Sequence, residues 1–199
     1  GETDGGSVID ASASAAVSGE SHVGGLVGET IGAANIDGAH ATGDVSGTGE
    51  ASTRTQVGGL VGQLSGNSLV TESYATGDVD GPIRVGGLVG TTKGSISASY
   101  ATGAVSGGGA GGLAGDNSGT ISESYATGTV SGGLEVGGLA GRNLATIERS
   151  YATGAVSSDS DVGGIVANNG GEADVTGSYW NESVETAGVG TNSGTFDAT

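Results

Sequence analysis

The sequence contains no cysteine and no methionine, and it has one proline, Pro82, and one lysine, Lys93. Without cysteine there is no disulfide framework, no thiol catalysis and no thiolate metal site. Aromatic residues make up only 4% of the chain, so the core must be narrow and built from Val, Ile, Leu and Ala. The 45 glycines exclude collagen, because proline does not accompany them. They also argue against a helical protein, since each interior glycine costs a helix about 1 kcal/mol relative to alanine.

Basic residues are scarce: five Lys and Arg stand against 22 Asp and Glu, for a net charge of -17. Phosphate contacts require a basic face, so we expect no nucleic-acid partner. The lysine deficit favours a protein from a halophile, where salt screens the self-repulsion; an acidic or calcium-loaded secreted protein is the alternative. No apolar run approaches the roughly 18 residues of a membrane span. Because position 1 is not Met, we expect a processed or excised chain.

A six-residue block of the form Val-Gly-Gly-Leu-Val-Gly recurs six times. Its copies occupy residues 23–28, 57–62, 85–90, 110–115, 136–141 and 162–167. They begin 34, 28, 25, 26 and 26 residues apart. A period near 26 residues is too short for the common helical-pair repeats and is typical of one coil of a β-solenoid. The block is apolar at both alternating positions, so the sequence leaves open which of its valines face inward.

A second block, Ser-Tyr-Ala-Thr-Gly-x-Val, lies between these copies. It occupies residues 73–79, 99–105, 124–130 and 150–156, with a weaker copy at 39–45 that has His40 in the tyrosine position. The position marked x holds Asp, Ala or Thr and should face solvent, whereas the valine never becomes polar and should face the core. This alternation predicts two outward ladders that form a candidate binding surface. Their members are Tyr74, Tyr100, Tyr125 and Tyr151, and Thr76, Thr102, Thr127 and Thr153.

These patterns predict one all-β domain over residues 1–199, a parallel β-solenoid of about six to seven coils. We assign residues 7–22 to a degenerate first coil, 23–175 to regular coils and 176–199 to a C-terminal cap and tail. The cap contains the only tryptophan and the only phenylalanine, Trp180 and Phe196, as expected where a terminal coil must cover an open core. The extra residues Thr48 to Gln56 are predicted to project from one edge.

The two blocks resemble the GLUG repeat family, whose Gly-Leu-any-Gly motif matches Gly25-Leu26-Val27-Gly28 and its copies. Residues 178–182, Ser-Tyr-Trp-Asn-Glu, are similar to the segment that often ends such arrays. The resemblance extends from about residue 8 to residue 195. It implies a repeat region of a large secreted or surface protein, such as an adhesin or the accessory part of a surface peptidase, from bacteria or archaea. It carries over no catalytic residue.

Other residues with chemical potential are few. His40 is interpreted as a ladder residue and His22 as a turn residue, because no third ligand at suitable spacing accompanies them. Asp78 with Asp80, and Asp159 with Asp161, could offer oxygen ligands to calcium, but the known calcium-loop motifs are absent and solvated acidic loops are the preferred interpretation. Asn181 begins an Asn-Glu-Ser pattern that is an N-glycosylation acceptor.

The sequence therefore favours a non-enzymatic extracellular structural or adhesive domain, such as a stalk, fibre or adhesin segment. We expect no cofactor. The expected partners are further copies of the chain, arranged end to end or in a multimeric fibre, or a cell-surface or polysaccharide partner. The alternative is a solenoid that binds or degrades polysaccharides with its acidic face and calcium. Ice binding by the threonines is a third hypothesis, weakened because each coil offers a single threonine column.

Overall fold

Each turn of the chain contains the same short strands, and every strand pairs in parallel with its counterpart in the next turn. The computed structural model describes residues 1–51, 55–182 and 187–198. Within these residues all regular structure is β-strand and no helix is present. The predicted β-solenoid is confirmed, with about seven turns and a period of about 26 residues.

Five strand positions follow one another in a coil, and each position forms a ladder along the rod. The first ladder contains the Val-Gly strands Val23–Gly24, Val57–Gly58, Val85–Gly86, Ala110–Gly111, Val136–Gly137 and Val162–Gly163. The second contains Val61–Leu64, Val89–Thr92, Ala114–Asn117, Ala140–Asn143, Val166–Asn169 and Val189–Asn192. The third contains Leu69–Thr71, Ser95–Ser97, Thr120–Ser122, Thr146–Glu148 and Thr195–Ala198.

The fourth and fifth ladders follow the corner after the third. The fourth contains Ser12–Ala13, His40–Ala41, Tyr74–Ala75, Tyr100–Ala101, Tyr125–Ala126 and Tyr151–Ala152. The fifth contains Val17–Gly19, Val45–Gly47, Val79–Gly81, Val105–Gly107, Val130–Gly132 and Val156–Ser158. Three long strands join two ladders each, and these are Glu2–Ile9, Val27–Asp37 and Asp174–Trp180.

The interior is divided into two apolar cores. The larger runs between the second, third and fourth ladders and contains residues such as Leu88, Ile96 and Ala101. The smaller is lined almost entirely by valines of the first and fifth ladders, for example Val85 and Val105. The valine that opens each Val-Gly-Gly-Leu block therefore enters the smaller core. The leucine and the apolar residue directly after it enter the larger core. The sequence had left the orientation of these residues open.

The glycine before each leucine separates the two cores. A Cβ on Gly59 would lie 2.2 Å from the carbonyl oxygen of Gly87 and 2.8 Å from the Cβ of Ala75. The chain therefore crosses the interior so close to the fourth ladder that the Gly-Gly pair and the alanine of Ser-Tyr-Ala-Thr are both required by space. The same contact recurs at Gly87, Gly112 and Gly138.

The corner between the third and fourth ladders has a left-handed backbone in every coil. Its φ angle lies between 47° and 51° at five residues that are not glycine. These are Asp10, Glu72, Ala98, Glu123 and Arg149. Gly38 and Gly177 occupy the same corner in two other coils. Left-handed residues reverse the chain sharply at a cost that glycine avoids, so the corner must be held by other bonds.

A serine ladder holds this corner. The backbone N–H of Ser99 donates to Oγ of Ser124 one coil further on, at 3.2 Å, and the Ser99 hydroxyl donates to the carbonyl of Ser97 at 2.8 Å. Ser73, Ser124 and Ser150 repeat both bonds. All four serines are buried. Each hydroxyl thus satisfies a buried N–H that the corner removes from the regular ladder, and such a group would otherwise cost about 1–3 kcal/mol.

The two ends of the rod differ. In the register of the fourth ladder, Trp180 takes the inward position that Ala152 holds one coil earlier, and it packs on the larger core with Phe196, the ring centroids being 5.9 Å apart. At the other end, Glu2–Ile9 pairs on one side with Val27–Asp37. Residues 2–6, outside the predicted first coil, are part of that pairing.

The predicted projection and the predicted C-terminal tail differ in part from the sequence expectation. Of the predicted projection Thr48 to Gln56, residues 52–54 lie outside the described residues, and Thr55 and Gln56 are buried, because they already lead into the next coil. The predicted tail is also part of the solenoid over its described residues, since Val189–Asn192 pairs with Val166–Asn169 and Thr195–Ala198 with Asp174–Trp180.

Candidate functional site

The tyrosines of the fourth ladder form a continuous ring stack on the outside of the rod. Successive ring centroids are 4.9 Å apart, with interplanar angles of 4°, along Tyr74, Tyr100, Tyr125 and Tyr151. His40 extends the stack beyond Tyr74 at 4.8 Å, which supports its interpretation as a ladder residue. Because the faces of the inner rings cover one another, these rings present their edges and hydroxyl groups to solvent.

The threonine ladder runs beside this stack. Thr76, Thr102, Thr127 and Thr153 are exposed, while the alanine and valine of the same strands are buried. The outward orientation predicted from alternation is therefore present for both residue types. Together the four tyrosines and four threonines form a straight face, called here the Tyr–Thr face, with one pair of hydroxyl groups per coil.

The stacking affects the ionisation of the phenols. Burial among the neighbouring rings raises the pKa of Tyr125, and the proximity of Tyr100 and Tyr151 adds to the shift. A negative charge on one ring would face a second ring on either side. The position of Tyr125 between two rings therefore favours its protonated form.

Three of the four aspartates considered as calcium ligands, Asp78, Asp80 and Asp161, accept hydrogen bonds from an adjacent coil. Asp78 accepts a hydrogen bond from the Ala104 backbone N–H at 2.8 Å, and Asp80 accepts one from the Ser106 hydroxyl at 2.6 Å. At the other pair, Asp161 accepts a bond of 3.4 Å from Thr191. Within the described ranges no group of three or more His, Asp or Glu side chains could hold a metal ion. These aspartates thus have a visible structural role between adjacent coils.

A second polar cluster lies in a cleft of about 390 Å³ on a different side of the coil. Arg84 Nε donates to Asp116 at 2.7 Å, and Arg142 and Glu135 also line this cleft. Burial raises the pKa of Asp116, although Arg84 and Arg142 act in the opposite direction. Glu135 accepts a hydrogen bond of 2.6 Å from Asn168. Two of the chain's five basic residues thus meet in one place.

The remaining predicted residues lie apart from both clusters. Nδ1 of His22 is 3.1 Å from Glu29, so His22 is placed at a turn near one end. Asn181 lines a cleft beside Trp180 and Tyr179, but Ser183, the third residue of its glycosylation pattern, lies outside the described residues. Among the residues that the structure describes, no helix is long and apolar enough to cross a membrane.

Sequence reasoning missed a buried asparagine ladder. Asn117 Nδ2 donates to Asn143 Oδ1 at 2.7 Å, Asn143 to Asn169 at 2.8 Å, and Asn169 to Asn192 at 3.0 Å. The signal was available in part, because Asn117 and Asn143 each follow the leucine of a Gly-Leu motif by four residues and Asn169 follows Ile165 by the same offset. The Arg84–Asp116 cleft had no such signal, since its residues come from different positions of separate coils.

Comparison with known proteins agrees with the repeat structure. A family model described as the GLUG motif matches residues 19–46, 53–80, 81–106 and 132–157, which together exceed half of the chain. Residues 107–131 fall between two matches, yet they form a coil with the same structure as the matched ones. In this coil Ala110 and Ala114 replace valine. Neither the curated proteins nor the solved structures contain a match.

Proposed function

This chain belongs to the GLUG-motif family, and from that premise we propose that it is a rigid, non-enzymatic structural and adhesive repeat domain of an extracellular surface protein. The observation that carries the proposal is the Tyr–Thr face, where four successive coils present the same two outward side chains with rings 4.9 Å apart. A regular array of this kind suits many weak contacts with a repetitive surface, because each coil adds the same contribution.

The polar side chains support this assignment through the bonds that they already make. Ser99 and Ser124 hold the corner, Asn117 and Asn143 bond along the core, and Asp78 bonds to the neighbouring coil. Groups used in this way stiffen the rod, since each links adjacent coils. The stacked rings of Tyr100 and Tyr125 add a further contact between coils.

Adhesion through this face can be tested with paired charge substitutions. Thr102→Glu with Thr127→Glu places two carboxylates on the Tyr–Thr face, one coil apart. The matched control is Ser131→Glu with Ser157→Glu, because these exposed serines are also one coil apart in the fifth ladder. Adsorption to insoluble polysaccharides and to whole cells should fall for the threonine pair and remain unchanged for the serine pair. Equal adsorption by both variants would refute adhesion by this face.

We also propose end-to-end association as the way in which the domain forms longer structures. Within the described part of the chain, the strand Glu2–Ile9 pairs with Val27–Asp37 on one side only, and unpaired strand edges are templates for strand addition. With a net charge of -17, association should strengthen as salt screens repulsion. Light scattering from low to molar salt should show growing assemblies, and Ile9→Pro, which removes an edge N–H, should reduce them. A monomer at every salt concentration would exclude this mode of assembly.

A further inference from the structure

The ring stack of the Tyr–Thr face ends abruptly at its C-terminal side. Tyr151 stacks on Tyr125, and the next residue in register is Tyr179. Tyr151 is 40% exposed and Tyr179 is 56% exposed, and no ring contact joins them among the described residues. One face of the last ring in the stack is therefore uncovered, unlike the faces of Tyr100 and Tyr125.

A small cleft lies at this uncovered face. It encloses about 250 Å³ and is lined by Tyr151, Ala152, Thr153, Tyr179, Trp180 and Asn181. Its lining is predominantly apolar, and the exposed residue Thr153 is part of it. Pockets for drug-sized ligands measure about 300–1,000 Å³, so this cleft suits a single ring rather than an extended molecule.

We propose that this cleft binds one neutral pyranose ring of a polysaccharide. A pyranose has an apolar C–H face that can lie on an aromatic ring and a rim of hydroxyl groups that can bond to polar side chains. The open face of Tyr151 offers the first contact, and Thr153 offers the second. Neutral sugars are favoured over acidic ones because the protein carries a net charge of -17.

This inference rests on the proposed adhesive function and deepens it, because it gives one end of the Tyr–Thr face a defined ligand. The stack makes the site rigid, since the ring of Tyr151 packs on the ring of Tyr125 with a centroid distance of 4.9 Å. A preorganised ring loses little conformational freedom when it binds. The cleft would therefore anchor a sugar chain whose further rings run along the threonine ladder.

The only tryptophan of the chain, Trp180, lines the cleft, so its fluorescence reports binding directly. The intact chain is titrated with neutral hexasaccharides of β-1,4-linked glucose and of β-1,4-linked N-acetylglucosamine, with a uronic-acid oligosaccharide and with a short phenylalanine-containing peptide. We expect a saturable change with at least one neutral saccharide. A response to the peptide or the acidic sugar alone, or to none of the four, would overturn the proposal.

Two variants and their counterparts locate the site. Tyr151→Ala should weaken binding roughly 2- to 10-fold, the range expected for loss of one aromatic contact, whereas Leu134→Ala removes an exposed apolar side chain outside the Tyr–Thr face and should leave the titration unchanged. Thr153→Val should weaken binding, and Ser131→Ala, at an exposed position of the fifth ladder, should not. Unaltered affinity in Tyr151→Ala would refute the site. Adsorption of the Thr102→Glu, Thr127→Glu variant to insoluble polysaccharides and to whole cells would still decide the broader adhesive function independently.

Discussion

Gly87 lies directly against the side chain of Ala101: a Cβ placed on Gly87 would be 2.9 Å from the Ala101 Cβ and 2.2 Å from the Gly112 carbonyl oxygen. This contact brings the chain just after the first ladder against the fourth ladder and divides the larger core from the smaller one. It explains why the second glycine of the Val-Gly-Gly-Leu block has no side chain and why the tyrosine block contains alanine. The Val-Gly-Gly-Leu block and the Ser-Tyr-Ala-Thr block therefore supply the two residues of one contact.

The first prediction follows from that contact. Gly87→Ala should prevent folding or lower the midpoint of thermal unfolding sharply, because the obstructing atom is backbone and cannot move aside. Gly133→Ala is the control, since nothing lies within 4 Å of its added Cβ, and we expect a neutral effect or stabilisation by about 0.4–1 kcal/mol. Circular dichroism during heating compares the two. Similar midpoints for both variants would contradict the close crossing.

The second prediction concerns the serine ladder. Ser124→Ala removes the acceptor for the Ser99 backbone N–H and leaves that buried donor without its partner. The free energy of unfolding should fall by about 1–3 kcal/mol, as measured by chemical denaturation. Ser131→Ala, at an exposed position of the fifth ladder, should change it by less than about 0.5 kcal/mol. An equal response at both serines would mean that the corner does not depend on the hydroxyl.

The sequence predicted the coil, its period and the direction of the tyrosines, because alternation and repetition report directly on a ladder. It did not predict the two cores, since Val57, Leu60 and Val61 are apolar on both sides of the strand and only the close approach of Gly59 separates them. It did not predict the left-handed backbone at Glu72 and Glu123, because that corner is held by the serine of the neighbouring coil. It also did not predict the cleft beside Tyr151, because this cleft depends on the point at which the ring stack ends.

The third prediction is a loss of stability at alkaline pH. The pKa of Tyr125 is raised in the folded chain, so the folded state keeps its proton when the unfolded chain has begun to lose it at about 10. The folded state binds more protons in that range, and stability must decline as the pH rises above the unfolded pKa. Denaturation at a series of pH values measures the decline, and Tyr125→Phe should make it smaller. An unchanged decline in that variant would argue against a raised pKa at Tyr125.

The fourth prediction uses the Arg84–Asp116 pair. Burial raises the pKa of Asp116 above the ordinary value of an aspartate, so this carboxyl group favours the folded state at low pH, and that contribution disappears as the pH rises through the folded pKa. Arg84→Gln removes a neighbouring positive charge and should raise the pKa of Asp116 further. The side-chain carboxyl carbon followed by NMR during a pH titration reports the shift. A lower pKa in the variant would contradict the assignment of Arg84 as a group that lowers the pKa of Asp116.

The fifth prediction separates the structural proposal from a calcium-dependent one. Because Asp78 and Asp80 bond to the adjacent coil, we expect calcium to leave the melting temperature unchanged beyond the effect of equal ionic strength. Magnesium and sodium at matched ionic strength are the controls. A rise specific to calcium that is lost in Asp78→Asn would favour the calcium-dependent alternative.

The serine and asparagine ladders share a property with consequences for how such a chain can change. Ser99 accepts from Ser73 behind it and donates its own N–H to Ser124 ahead, so the same residue type is donor and acceptor at every level. A coil removed or copied as a whole brings matching partners back into register. Unequal recombination between repeats would therefore yield foldable products, and the length of the rod can vary between relatives while its cross-section and its outward face are inherited intact.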